Sequence, residues 1–163
     1  MIFLIVGTQF PFDRLVKAVD EVAGKNGFDE RIVAQIGDSS YRPENFDAVP
    51  SVEKALFDRY FAEADSIISH AGMGTITMAL DHRKPLLVMP RLKKYGEVVN
   101  DHQLALAGKF EQLGYLLVAC QAEDVPGKME QLKSFVPQKR QPSAEVVAAR
   151  ISTFLNELAQ LKN

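Results

Sequence analysis

The sequence predicts an α/β domain, an open parallel β-sheet with helices on both faces. Short uninterrupted apolar runs such as "IFLIV" and "PLLVM" have the composition of strands buried on both sides. Longer segments between them repeat their apolar residues at helical spacing. The two kinds alternate along the chain, as parallel strands require, because each must be joined to the next by a crossover connection. At 163 residues the chain has the length of about one domain, enough to bury roughly two thirds of its unfolded surface. Residues 1–163 are therefore expected to form a single domain.

The elements follow in order. "IFLIVGT" is a buried strand running into a loop at Gly7 and Thr8, and "PFDRLVKAVDEVA" is a helix with Phe12, Leu15, Val16, Val19 and Val22 on one face. "RIVAQIG" is a second strand. The polar, turn-rich "GDSSYRPENFDAV" reads as a loop, and "VEKALFDRYFAEA" as a helix whose apolar face holds Ala55, Leu56, Tyr60 and Phe61. Strand "SIIS" leads to a helix from about residue 75 to 82, then strand "PLLVM", the basic loop "PRLKKYGEVVN", helix "NDHQLALAGKFEQLG" and strand "YLLVA". Helices are predicted near "VPGKMEQLKSF" and "SAEVVAARISTFLNELAQL". In the last, Val147, Ile151, Phe154, Leu155, Leu158 and Leu161 form one apolar stripe.

Composition narrows the function. With 47% hydrophobic and 25% charged residues the chain is an ordinary globular protein, and a net charge of -2 argues against binding nucleic acid through its phosphates. A single cysteine excludes an intrachain disulfide and a thiolate-rich zinc site. The opening "MIFLIV" is too short for a membrane span or signal peptide. A cytoplasmic location is the expectation, with attachment to a membrane through a partner left open.

Ligands of such sheets bind beyond the carboxyl ends of the strands, which directs attention to "SIISHAGMGTITMAL". Here an apolar strand meets Gly72 and Gly74 where a helix must begin. Glycines there let a backbone approach a ligand while the helix points free amides at it, an anion site. They equally make a tight strand-to-helix turn. The spacing is not the dinucleotide fingerprint, since Thr77 stands in the third glycine position. His70 could touch a phosphate, cap the helix or act as a base, although a packed, hydrogen-bonded histidine is the commoner role. Asn100, Asp101, His102 and Gln103 open a helix as good capping residues, and their varied donors and acceptors also suit a polyhydroxylated ligand. Arg91, Lys93 and Lys94 could bind phosphate or simply be solvated.

"SHAGMGTITMALDHRKPLLVMPR", "NDHQLALA" and "IFLIVGTQFPFDRLVKAVD", in this chain order, resemble the carboxyl-terminal domain of glycosyltransferase family 28 over roughly residues 1–120. The resemblance is nearest to its stand-alone form, the small catalytic subunit of capsule and exopolysaccharide transferases and of the dolichol-linked N-acetylglucosaminyl transferase. It implies a Rossmann-like sheet, the donor-binding half of a GT-B glycosyltransferase. It further implies an inverting, metal-independent enzyme with no cofactor, transferring a sugar from a UDP-sugar to a lipid-linked saccharide acceptor. By matching motifs, the turn Ser69, His70, Ala71, Gly72, Met73, Gly74, Thr75 would hold the donor diphosphate. Gly7, Thr8 and Gln9 would line the same side, and Gln103 with Asp101 and His102 would face the donor sugar. His70 and Gln103 are the candidate catalytic residues, with the base expected on a partner.

Two departures matter. Met78 stands where the peptidoglycan member of the family has an acidic residue for the ribose hydroxyls, and a thioether cannot accept both protons. An amino-terminal acceptor domain is also missing, so a membrane-anchored acceptor-binding subunit is expected as partner. Segment 142–163 is a candidate for docking on it, and its stripe would favour a homo-oligomer in isolation. A non-catalytic nucleotide-sugar-binding scaffold is the alternative, and a dehydrogenase a distant third.

Overall fold

A computed structural model describes residues 1–139, 152 and 153. Its strands are β1 (Ile2–Ile5), β2 (Ile32–Gln35), β3 (Asp47–Val49), β4 (Ser66–His70), β5 (Leu86–Met89) and β6 (Leu117–Val118). They form one sheet in the order β3-β2-β1-β4-β5-β6, parallel throughout. The helices are α1 (Asp13–Ala23), α2 (Lys54–Glu63), α3 (Met73–Asp81), α4 (His102–Gln112) and α5 (Val125–Leu132). The predicted fold class is therefore observed.

Side chains alternate across the strands, and both faces are dry. Ile2 and Leu4 of β1 pack with Leu15, Val16 and Val19 of α1 and with Met129 of α5, while Phe3 and Ile5 pack on the other face with Phe61 of α2 and Ile76 of α3. Burial on two faces removes the usual alternation of polar and apolar residues and leaves the continuous apolar runs seen in the sequence. The chain moves outward from β1 through β2 to β3, then returns to lay β4 on the other side of β1. This reversal creates a crevice between the loops that follow β1 and β4.

Three details differ from the sequence expectation. Asp47–Val49, within the predicted loop, pairs with β2 in the register Val33↔Asp47. It is a three-residue edge strand with exposed ends, too short and too polar to show a pattern. Ala55 of α2 faces solvent, and Phe57, stacked edge-on against Phe3 at 5.3 Å, takes its place on the inner face. Helix α3 begins at Met73, two residues before the predicted start, because Gly72 is extended and lets the helix open directly after the strand.

The polar loop after β2 is tied to α1. Buried Asp20 accepts hydrogen bonds from Tyr41 Oη at 2.8 Å and from the Asn45 amide at 2.9 Å, and Asp13 accepts one from the Ser40 amide at 2.8 Å. The proposed docking helix, most of segment 142–163 and its apolar stripe, lies outside the described residues.

Candidate functional site

The crevice is built around His70. Ser69, fully buried, donates its hydroxyl to the Ile5 carbonyl at 2.9 Å and so locks the end of β4 to the end of β1. The His70 ring then lies between two glycines. A β-carbon on Gly7 would stand 2.9 Å from His70 Cε1, and one on Gly72 only 2.3 Å from His70 Nε2. Gly72 is thus required by the imidazole, which is a different reason from backbone approach to a ligand. At Gly74 a β-carbon would meet nothing within 4 Å, so the open space lies on that side of the first turn of α3. Ala71 is buried beneath the turn, and Met73 is exposed.

A cavity of about 330 Å³ opens beside His70 and Gly72, lined also by Gln9, Phe10, Arg91, Val99, Asn100, His102 and Gln103. A wider, shallower groove of about 540 Å³ runs along α3 past Met73, Gly74, Thr77 and Met78. The amino-terminal turn of α3 therefore stands between two hollows. Thr8 is exposed and Thr75 half-buried, and neither lines the cavity.

Arg91 dominates the electrostatics. It is 3% exposed, donates through Nη2 to the Phe10 carbonyl, and lies 5.1 Å from the Phe12 ring centre. Its Nε is a buried nitrogen without a hydrogen-bond partner among the described residues. Burial pulls the guanidinium below its usual pKa, and Glu97 offsets this, but the Glu97 carboxylate is itself bound by Arg14 at 2.8 and 2.9 Å. Buried Arg91 and part-buried Arg14 thus have one carboxylate between them, and the uncompensated charge is at the cavity wall, where an anion would be attracted.

The loop carrying Arg91 is clasped from its far end. Three successive amides are each bound by a side chain: Arg91 N–H by Gln103 Oε1 at 3.1 Å, Leu92 N–H by Glu97 Oε2 at 2.9 Å, and Lys93 N–H by Asp101 Oδ1 at 2.7 Å. Gln103 and Asp101 therefore use acceptors on their own fold. Gln103 is 7% exposed and lines the cavity, while Asp101 is exposed and lies off it. Asp101 holds the N-cap position of α4 without a side-chain capping bond. Asn100 accepts from the His102 amide at 3.2 Å. Lys93 and Lys94 are solvent-exposed. The sequence reading missed Phe10, Val99, Glu97 and Arg14. Only Arg14 left a trace, as a charged residue beside the apolar stripe of α1.

Burial and the Arg91 charge together lower the His70 pKa from the ordinary 6.5 to about 4, against a hydrogen bond to the Ile5 carbonyl that raises it. The folded chain thus holds the ring neutral while the unfolded chain protonates it near pH 6.5. Stability due to this group is intact above about pH 6.5 and falls as pH drops toward 4, by at most roughly 1.4 kcal/mol per pH unit. Denaturation midpoints at pH 7 and pH 5 should therefore differ more for the natural chain than for His70→Asn. Equal differences would contradict it.

A doubly wound parallel sheet with a hollow beyond its carboxyl edge is a Rossmann-like domain. The chain belongs to the glycosyltransferase family 28 C-terminal domain family, whose model matches residues 1–160. Among curated relatives, human "UDP-N-acetylglucosamine transferase subunit ALG13" is 32% identical over 169 residues, covering 93% of this chain and 14% of that protein. The protein of that name from Cryptococcus neoformans var. neoformans serotype D (strain JEC21 / ATCC MYA-565) is 33% identical over 101 residues, 56% of this chain and 48% of its own length. The chain thus spans less than half of either relative. Of solved structures, Acinetobacter baumannii MurG superimposes with TM-score 0.65 at 20% identity over 91% of this chain and 48% of that one. An NMR structure of ALG13 gives TM-score 0.57 at 20% identity over 90% and 93%. These two likenesses show a common fold.

Proposed function

We propose that the chain is the donor-binding, catalytic subunit of a glycosyltransferase that moves a sugar from a UDP-sugar to a lipid-linked saccharide acceptor. The observation that carries this reading is Arg91, a buried cation whose Nε has no hydrogen-bond partner among the described residues, on the wall of a cavity that adjoins the amino terminus of α3. Helix amides and a guanidinium together suit a diphosphate, and in the reaction they would stabilise the charge developing on the departing UDP without a metal. The relatives named as UDP-N-acetylglucosamine transferase subunits support UDP as the nucleotide and make N-acetylglucosamine the first sugar to test. Exopolysaccharide or capsule synthesis as the setting rests on the sequence resemblance.

His70 is assigned to donor binding. A neutral imidazole with pKa about 4 offers hydrogen bonds to a phosphate or sugar but is a weak base at neutral pH. The proton of the acceptor hydroxyl is therefore given to a base on the acceptor-binding partner, with inversion at the anomeric carbon. Gln103 meets the donor sugar with whatever hydrogen-bonding capacity its clasp on Arg91 leaves. Among the described residues no helix is long and apolar enough to cross a membrane, and we assign the chain to the cytoplasmic membrane face, held there by the membrane-anchored partner.

The test is thermal unfolding of the full chain with UDP, ADP, UDP-N-acetylglucosamine, UDP-galactose and UDP-glucuronate. A ligand at a hundred times its Kd adds about 2.7 kcal/mol of stability. UDP and one UDP-sugar should raise the midpoint and ADP should not. A chain indifferent to all five would end the proposal.

A further inference from the structure

The geometry points to Arg14, which does not line the cavity, as the positioning residue that holds Arg91 and its loop in the arrangement the donor meets; this rests on the donor-binding reading above. Arg14 lies on the first turn of α1, and its guanidinium reaches three separate segments. Nε and Nη2 bind both oxygens of Glu97, Nη2 also donates to the Pro90 carbonyl at 2.9 Å, and Nη1 donates to the Cys120 carbonyl at 3.3 Å. The residue before Arg91, the far side of its loop and the segment just after β6 are thereby fixed to one helix.

A second link to Arg91 runs through Phe12. The guanidinium carbons of Arg14 and Arg91 lie 5.3 and 5.1 Å from the centre of the same buried Phe12 ring. Tyr95, in the short helical turn Lys93–Tyr95, packs against Arg14 at 4.8 Å. Glu97, held by Arg14, is the group that binds the Leu92 amide, the middle member of the three-amide clasp. Without Arg14, Glu97 would be a buried, unpaired carboxylate and would turn toward solvent or toward Arg91. Either movement opens the clasp or neutralises the charge offered to the donor.

Lysine at this position separates geometry from charge, since it keeps the cation but lacks the planar fork needed to bind Glu97 through two nitrogens while bonding two carbonyls. In Arg14→Lys, amide hydrogen exchange across residues 91–100 is expected to quicken with the sheet unchanged. UDP should bind about tenfold more weakly, a size ordinary for couplings within one hydrogen-bond network. Should Arg14→Lys not fold, Arg14→Gln with Glu97→Gln removes the ion pair as a unit, so that no carboxylate is left buried without its cation, and should show the same two changes. Natural exchange over 91–100, or natural UDP affinity, in a folded variant would overturn the inference. If the unaltered chain fails to bind UDP, the donor reading falls, and exchange over 91–100 then decides alone whether Arg14 holds the loop.

Discussion

Gly72→Ala should lose about 1–3 kcal/mol of stability, the usual cost of overpacking, and with it UDP binding. The backbone at Gly72, φ −89° and ψ 133°, is ordinary for any residue, so conformational strain is not the cause. The cost is steric, because the new methyl carbon would lie 2.3 Å from His70 Nε2. The ring has little room to retreat, since the space opposite is limited by Gly7, whose own β-carbon would meet the ring at 2.9 Å. To relieve the contact, the imidazole must swing into the cavity or the first turn of α3 must shift, and each would disturb the proposed donor site. Combining Gly72→Ala with His70→Ala should restore much of the stability. Gly74→Ala, with nothing within 4 Å, should fold at least as well as the natural chain. Urea denaturation of the three variants decides the matter. A fully stable Gly72→Ala, or a double variant no better than the single, would refute the steric account.

What the sequence reveals and what it hides part ways at this turn. The alternation of apolar runs and helical spacing was enough to predict the parallel sheet, because two-sided burial leaves a local pattern in each strand. The glycine turn was recognisable for the same reason, being a local departure between a strand and a helix. Why Gly72 must be glycine was not, since the answer lies in the space needed by a side chain whose other wall, Gly7, comes from a distant strand. The role of Arg14 was equally hidden, as its carboxylate partner is 83 positions away and α1 gives it the look of a solvated charge. Gln103 and Asp101 stand out in the sequence as polar residues at a helix start, suited to capping or to a polyhydroxylated ligand. Their observed partners, the amides of Arg91 and Lys93, were unforeseeable without the path of the loop. Edge strand β3, three residues long with two exposed, left no periodicity at all.

Arg91→Met should separate stability from binding, with the two moving in different directions. Removing a side chain usually weakens a fold, but Arg91 is a buried cation with one nitrogen unbonded among the described residues and a carboxylate neighbour already engaged by Arg14. Removing the buried charge relieves its desolvation cost, Glu97 keeps Arg14 as its ion-pair partner, the bond to the Phe10 carbonyl is lost, and the thioether can pack against Phe12, where the guanidinium now sits. The amide that Gln103 binds belongs to the backbone and is retained. The unliganded chain is therefore expected to keep or raise its unfolding midpoint. UDP affinity should fall about 10- to 100-fold, corresponding to the roughly 1.5–3 kcal/mol of a hydrogen bond to a charged group. The variant also removes the charge that, after burial, most depresses the His70 pKa, so the ring should titrate at higher pH than in the natural chain, a shift readable by NMR in the absence of any ligand. A folded Arg91→Met chain that binds UDP as well as the natural one would show that the buried cation is structural and that the donor is held elsewhere on the carboxyl edge of the sheet.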